Sequence, residues 1–239
     1  MATRSSALKV GLRAITAVTR GAAVTLPLAM VYGILLTLID TVIYRSTIPA
    51  GQLPGQEDLI AVLLPWAGAT LGLEIILGPI VAACAVYVGQ AAATGGAVSL
   101  YKAVNFALSR YRRVFLPHLA AQLSIQLGLI IIIPGVLFQM QYAFVDSVAC
   151  LEDEAAPLNR SKRLTRGRRR SVFFLFLPWL MLSQFIIFAD LWALGQSEFA
   201  LFGVKATAFL IYFTMQVGFF FLYEERTRQR RARKAEAGA

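Results

Sequence analysis

Long apolar runs are the feature of this sequence that most restricts its fold. The first covers residues 21–44, and the next covers residues 59–93. An apolar helix of about 20 residues is enough to cross the roughly 30 Å hydrocarbon core of a bilayer. Only 15% of the residues are charged, against about 25% in a soluble globular domain. The sequence therefore predicts an all-α membrane protein.

Two of the apolar runs are too long for one straight crossing. The run over residues 59–93 is roughly 52 Å long as a helix, so a kink is expected at Gly78-Pro79. Residues 114–151 form a second such run, and Pro134-Gly135 near its centre is a turn signal. A tight hairpin is therefore predicted there. The predicted fold is a polytopic bundle of six transmembrane helices in three hairpins, over residues 21–44, 59–93, 114–133, 135–151, 171–194 and 201–223.

The distribution of cations predicts the topology. With the N-terminus inside, the cytoplasmic segments are residues 1–20, 93–113, 152–170 and 224–239, and these contain every Lys and Arg except Arg45 and Lys205. A five-span alternative would place the densest cationic run outside, against the positive-inside rule. We therefore expect a multi-pass prokaryotic inner-membrane protein with both termini cytoplasmic. It would consist of a single membrane domain, residues 1–225, and a basic tail, residues 226–239.

Two amphipathic helices are predicted at the cytoplasmic surface of the membrane, over residues 5–20 and 98–113. In the first, Leu8, Leu12 and Ile15 share one face, and cations follow a neighbouring face. The first apolar run is also longer than the roughly 7–15 residues of a signal-peptide core. We therefore expect a membrane span there and not a cleaved leader.

One segment resembles a known family. It begins "IIIIPGV", continues through Glu152 and Pro157, and ends in "RSKRLTRGR". The matching residues are Ile133, Pro134, Gly135, Val136, Glu152, Pro157, Arg160, Ser161, Leu164, Thr165, Gly167 and Arg168. This pattern is similar to that of the prokaryotic membrane domain associated with glycerophosphodiester phosphodiesterases, and "FLYEER" at residues 221–226 is similar to that family's closing segment. The resemblance implies a six-span fold, an inner-membrane location and a role in envelope lipid homeostasis. It implies no activity, because no phosphodiesterase domain is attached.

The cationic segments supply candidate contacts for anionic lipid headgroups. Each Lys or Arg beside a membrane contributes about 1 kcal/mol of attraction to an anionic leaflet. Ordinary interfacial anchoring is the alternative. The candidates form a cytoplasmic collar of Lys102, Arg110, Arg112, Arg113, Arg160, Arg163, Arg166, Arg168, Arg169 and Arg170.

Polar residues within the predicted spans form a second candidate site. Glu74 and Asp146 lie deep in apolar segments, where carboxylates are costly and often functional. His118, Gln122 and Gln126 recur every four residues, and the predicted hairpin brings Gln122 within hydrogen-bonding reach of Asp146. This polar seam either holds the hairpin together or forms a path for protons or ions. Asp40 and Asp190, near the outer span ends, are expected to reach water.

No catalytic motif is present, so a non-enzymatic protein without cofactor or metal is expected. Cys84 and Cys150 are predicted to be buried apolar residues, and Gly68-x-x-x-Gly72 is a candidate helix-packing motif. Three functions remain open: lipid homeostasis through the collar, transport through the seam, and a scaffold that binds a membrane-protein partner or a second copy. Nucleic acid is not expected as a partner, because the basic tail has no aromatic residues for base stacking.

Overall fold

The computed structural model describes residues 6–47, 56–129, 131, 133–194 and 197–237, and the regular structure in these ranges is entirely helical. The helices are α1 (Ala7–Arg20), α2 (Ala22–Thr47), α3 (Gln56–Thr94), α4 (Leu100–Leu129), α5 (Ile133–Tyr142), α6 (Val145–Leu151), α7 (Pro157–Thr165), α8 (Arg169–Leu194) and α9 (Glu198–Ala237). The predicted all-α class is confirmed.

Three helices of the described chain are long and apolar enough to cross a membrane. The qualifying segments are Ala22–Ile43 in α2, Gly68–Thr94 in α3 and Glu198–Ala232 in α9. They coincide with the predicted first, second and sixth spans. The sequence predicts six spans, three more than the described helices that meet this length and hydropathy criterion.

The third and fourth predicted spans differ from the observed helices for identifiable reasons. The amphipathic segment 98–113 and the predicted third span form one continuous helix, α4, whose first half carries four cations. The predicted fourth span is divided at residues 143 and 144 into α5 and α6, of 10 and 7 residues. Neither piece alone reaches the roughly 20 residues that a crossing needs.

The predicted fifth span corresponds to α8, which is helical along its whole length. Most side chains of its second half, including that of Asp190, lie outside the described residues, as does that of Arg45.

The predicted hairpin between α4 and α5 is present. The two helices pack against each other, with Gly128 facing Gly135 so closely that a Cβ on Gly128 would lie 2.7 Å from the Gly135 nitrogen. Pro134 belongs to the first turn of α5, where its missing N–H costs no intrahelical bond.

The glycines of α3 differ in what surrounds them. The helix continues through Gly78 and Pro79, and the kink expected at this pair stays a prediction. Gly78 makes room for His118, whose Nε2 would lie 2.6 Å from a Cβ at that position. A Cβ at Gly68 or Gly72 would meet nothing within 4 Å. These two glycines therefore do not form a packing motif within the described part of the chain.

The long helix α9 organises the bundle, because it packs against α1, α2, α3 and α8. Its inward face is aromatic and includes the buried Phe213, Phe219 and Phe221. The small residues of α1, such as Ala14 and Ala17, are buried against the bundle. The leucines of the predicted apolar face of α1 point away from the bundle, and Leu8 is 74% exposed.

We predict that Gly128→Ala weakens the α4–α5 hairpin. The added methyl group would overlap rigid backbone at Gly135, and overpacking of this kind costs about 1–3 kcal/mol. Gly72→Ala is the matched control, since its methyl group meets no neighbouring atom. Unfolding in mild detergent, followed by circular dichroism, measures the difference. Equal stability of the two variants would contradict the close helix approach.

Candidate functional site

The cationic segments meet at one end of the bundle, which we term the basic end. Arg13 of α1 lies 3.6 Å from the carboxylate of Glu224 in α9. Arg113 of α4 donates a hydrogen bond to the carbonyl of Glu152, which follows α6. The start of α8 is joined to α9 in the same region. The structure therefore brings together α1, the middle of α4, α7 and the last turns of α9.

Arg168 forms the most buried ion pair at the basic end. Its guanidinium donates to both carboxylate oxygens of Glu225, at 2.6 and 3.3 Å, and its side chain is 1% exposed. Gly167 makes the turn before α8 with a φ of +87°, a conformation that glycine adopts without the Cβ strain of other residues. This turn directs Arg168 inward while the next two arginines remain exposed.

A second polar contact joins α6, α7 and α9 at the basic end. The Arg160 guanidinium donates to both oxygens of Glu152, at 2.6 and 3.2 Å. The Tyr223 hydroxyl donates to the same carboxylate at 2.9 Å. The hydrogen bonds to Glu152 raise the pKa of Arg160 above its usual range. Arg160 therefore stays charged at neutral pH, and the contact fixes α7 against the bundle.

The break between α5 and α6 is closed by side chains of α7. The Ser161 hydroxyl donates to the carbonyl of Gln141 at 2.8 Å and accepts from the N–H of Phe144 at 3.2 Å. Thr165 adds a longer contact of 3.5 Å to the Gln141 carbonyl. These bonds satisfy backbone groups that the interrupted helix leaves without helical partners.

The residues behind the family resemblance thus have structural roles. Arg160 and Arg168 pair with carboxylates. Ser161 and Thr165 close the helix break. Gly167 makes the turn before α8, and Leu164 is buried. The sequence showed this stretch chiefly as a dense positive charge. Its partners could not be read from it, because Glu225 lies 57 residues away.

The ten collar candidates separate into three groups. Arg168, Arg160 and Arg113 bind groups of the protein, which corrects their assignment to lipid headgroups. Two more have weaker internal contacts: Arg163 lies 3.7 Å from Glu154, and Arg110 lies over the Phe106 ring. Five candidates are exposed, and within the described chain their side chains make no ion pair: Lys102, Arg112, Arg166, Arg169 and Arg170.

The polar seam is a buried cluster centred on His118. Its Nδ1 lies 2.9 Å from the Oδ1 of Asp146, and its Nε2 lies 3.7 Å from the Oε1 of Glu74. The hydroxyls of Tyr32 and Tyr212 donate to Glu74 at 2.6 and 3.1 Å. The cluster therefore joins α2, α3, α4, α6 and α9.

The predicted bond between Gln122 and Asp146 is wrong, because His118 takes that position. Gln122 instead lines a cavity of about 20 Å³, together with Gln139, Gln216 and the His118–Asp146 pair. Gln126, one turn further along α4, is exposed and does not line this cavity.

The sequence did not reveal the two tyrosines of the cluster. Tyr32 and Tyr212 lie in the middle of apolar helices, where tyrosine is an ordinary packing residue. Only the three-dimensional arrangement shows that both hydroxyls point at one carboxylate. Sequence spacing within α4 could not identify partners on α2 and α9.

A third polar contact lies far along α9 from the basic end. Lys205 and Asp40 form an ion pair of 2.7 Å, and each side chain is 5% exposed. The expectation that Asp40 reaches water is therefore wrong. The packing of α2 against α9 buries both groups, and pairing compensates part of the desolvation cost.

The described residues contain no group of three His, Cys, Asp or Glu side chains that could hold a metal ion. Cys84 and Cys150 are free and buried, as predicted. Comparison with protein-family models, curated proteins and solved structures found no match. The family resemblance therefore stays a prediction.

We predict that Arg168→Gln destabilises the protein and that Arg169→Gln does not. Each removes one positive charge, but only the first leaves a partly buried carboxylate, Glu225, without its main cation. Removal of one partner from a buried pair costs about 3–5 kcal/mol, whereas exposed charges contribute about 0–1 kcal/mol. Thermal unfolding in detergent compares the two. Equal midpoints would contradict the buried role of Arg168.

Proposed function

We propose that this chain is a multi-pass protein of a prokaryotic inner membrane, with its basic end in the cytoplasm. The second half of α4, the pair α5 and α6, and α8 would lie in the bilayer beside α2, α3 and α9, which gives six spans. Large apolar side chains point outward on these elements, with Leu116, Leu127 and Ile133 each at least 66% exposed. Such surfaces are stable against lipid and costly against water.

We further propose that the protein is not an enzyme and binds anionic lipid headgroups as part of membrane lipid homeostasis. The observation that carries lipid binding is the exposed pair Arg169 and Arg170 at the first turn of α8. Phe174, one turn further on, is 57% exposed. Cations followed at once by an exposed aromatic residue suit the boundary between headgroups and acyl chains. The homeostatic role rests on the family resemblance.

The surface of α1 supports a lipid ligand over an acidic protein partner. Leu8, Leu12 and Ile15 are more than half exposed, and Lys9 and Arg20 are exposed beside them. An amphipathic helix of this kind inserts its apolar face below the headgroups. A docking site for an acidic protein would not require such an apolar face. The basic end as a whole therefore matches a membrane interface.

Lipid-dependent thermal unfolding tests this proposal. We expect phosphatidylglycerol, added to the detergent-solubilised protein, to raise the Tm more than phosphatidylcholine does, since a ligand that binds only the folded state stabilises it. The double variant Arg169→Gln/Arg170→Gln should lose most of that difference. Arg228→Gln/Arg231→Gln, which removes two charges from the tail, should keep it.

An equal response to both lipids would overturn headgroup binding. If the Arg169→Gln/Arg170→Gln variant kept the Tm difference between the two lipids, these two arginines would not be the residues that bind the headgroup. A stoichiometric protein that copurifies from native membranes, and whose binding needs the same two arginines, would favour the scaffold function instead.

A further inference from the structure

The seam cluster contains more negative than positive charge. Glu74 accepts hydrogen bonds at both carboxylate oxygens, as an ionised carboxylate does. Asp146 faces the Nδ1 of His118. The imidazole supplies at most one positive charge against two carboxylates, and no Lys or Arg of the described chain contacts them. A buried site with this imbalance favours uptake of a further cation.

The size and walls of the adjacent cavity select the kind of cation. Its volume of about 20 Å³ exceeds the roughly 10–15 Å³ that one water molecule needs, but it is too small for an organic solute. The amides of Gln122, Gln139 and Gln216 line it, and none has a hydrogen-bond partner in the described chain. A water molecule bound by these amides would reach Asp146 and His118. A proton carried by such a water molecule fits this cavity.

Polar groups continue beyond the cluster along one face of α9. Lys205, Tyr212, Gln216 and Tyr223 are separated by seven, four and seven residues, which places them on one line along a helix. The line is about 27 Å long, close to the roughly 30 Å of a bilayer core. In order, these residues contact Asp40, Glu74, the cavity and Glu152.

We propose that this line conducts protons through the bundle and that Glu74, His118 and Asp146 are its protonatable centre. The groups that face the centre from the surrounding helices are Tyr32 of α2, Tyr142 of α5 and Tyr212 of α9.

In this path, Asp146 exchanges protons with the cavity water and Glu74 with the outer half of the line. His118 carries positive charge between the two carboxylates. One proton enters at the Glu152 end for each proton that leaves at the Asp40 end, or the reverse. Only O–H and N–H bonds form and break, so no oxidant or co-reactant is needed.

Proton flux in proteoliposomes tests the proposal. The full chain is reconstituted with the pH-sensitive dye pyranine inside, and valinomycin with a K⁺ gradient sets the membrane potential. We expect flux above that of protein-free vesicles, and a loss of about tenfold or more in Asp146→Asn and Glu74→Gln, since removal of a proton-transfer group typically costs 10²–10⁴ in rate.

The neighbouring glutamines of α4 provide a matched pair of variants. Gln122→Leu removes a wall of the cavity and should reduce the flux. Gln126→Leu makes the same change one turn away on the exposed surface and should leave it unchanged. Absence of flux above protein-free vesicles overturns the proposal. It is also overturned by flux unchanged in Asp146→Asn, or by flux carried by K⁺ or Na⁺ in place of protons.

A second measurement applies if the Asp146→Asn variant does not fold. His118 is the single histidine of the chain, so [¹⁵N]histidine labelling of the unaltered protein gives the signals of one imidazole. We expect both ring nitrogens to be protonated at neutral pH, since each faces a carboxylate. A neutral ring would overturn the proposed centre. Neither experiment involves Arg169 or Arg170, so its outcome is independent of lipid binding.

Discussion

The ion pair between Arg168 and Glu225 is the contact on which the basic end depends. It joins the start of α8 to the last turns of α9 across a gap of 57 residues in sequence. A guanidinium buried to this degree is stable only with an opposite charge at bonding distance. Its position in turn fixes Gly167 and the end of α7. Helix α7 then supplies Ser161, which closes the break between α5 and α6.

Five acidic side chains of the described chain turn toward other helices of the bundle. The acidic residues Asp40, Glu74, Asp146, Glu152 and Glu225 all turn inward and contact cations or hydroxyl groups of other helices. Most cations that have no such partner are exposed at the basic end. This arrangement gives the protein two distinct polar regions. The exposed one suits lipid headgroups, and the internal one suits protons.

Apolar run length and turn signals were sufficient to predict much of the fold. The all-α class and the α4–α5 hairpin agree with the structure, and three of the predicted spans coincide with helices that are long and apolar enough to cross a membrane. The division of the predicted fourth span was missed, because residues 143 and 144 carry no glycine or proline signal. The break is stabilised by α7, which is remote in sequence.

The candidate sites were predictable only as regions. Arg168, Arg169 and Arg170 are identical in type and consecutive, yet one is buried and two are exposed, because a single turn at Gly167 directs them differently. In the seam, the spacing along α4 identified His118, but Asp146 was assigned to Gln122 and not to His118. Tertiary contacts, not local pattern, decide such pairings.

A double-mutant cycle on Arg168→Met and Glu225→Met tests most directly whether the buried ion pair between these residues stabilises the basic end. Free energies of unfolding for the parent, both single variants and the double variant give the coupling between the two side chains. A buried bidentate pair predicts a coupling of about 2 kcal/mol. A coupling below about 0.5 kcal/mol, typical of an exposed pair, would contradict the account.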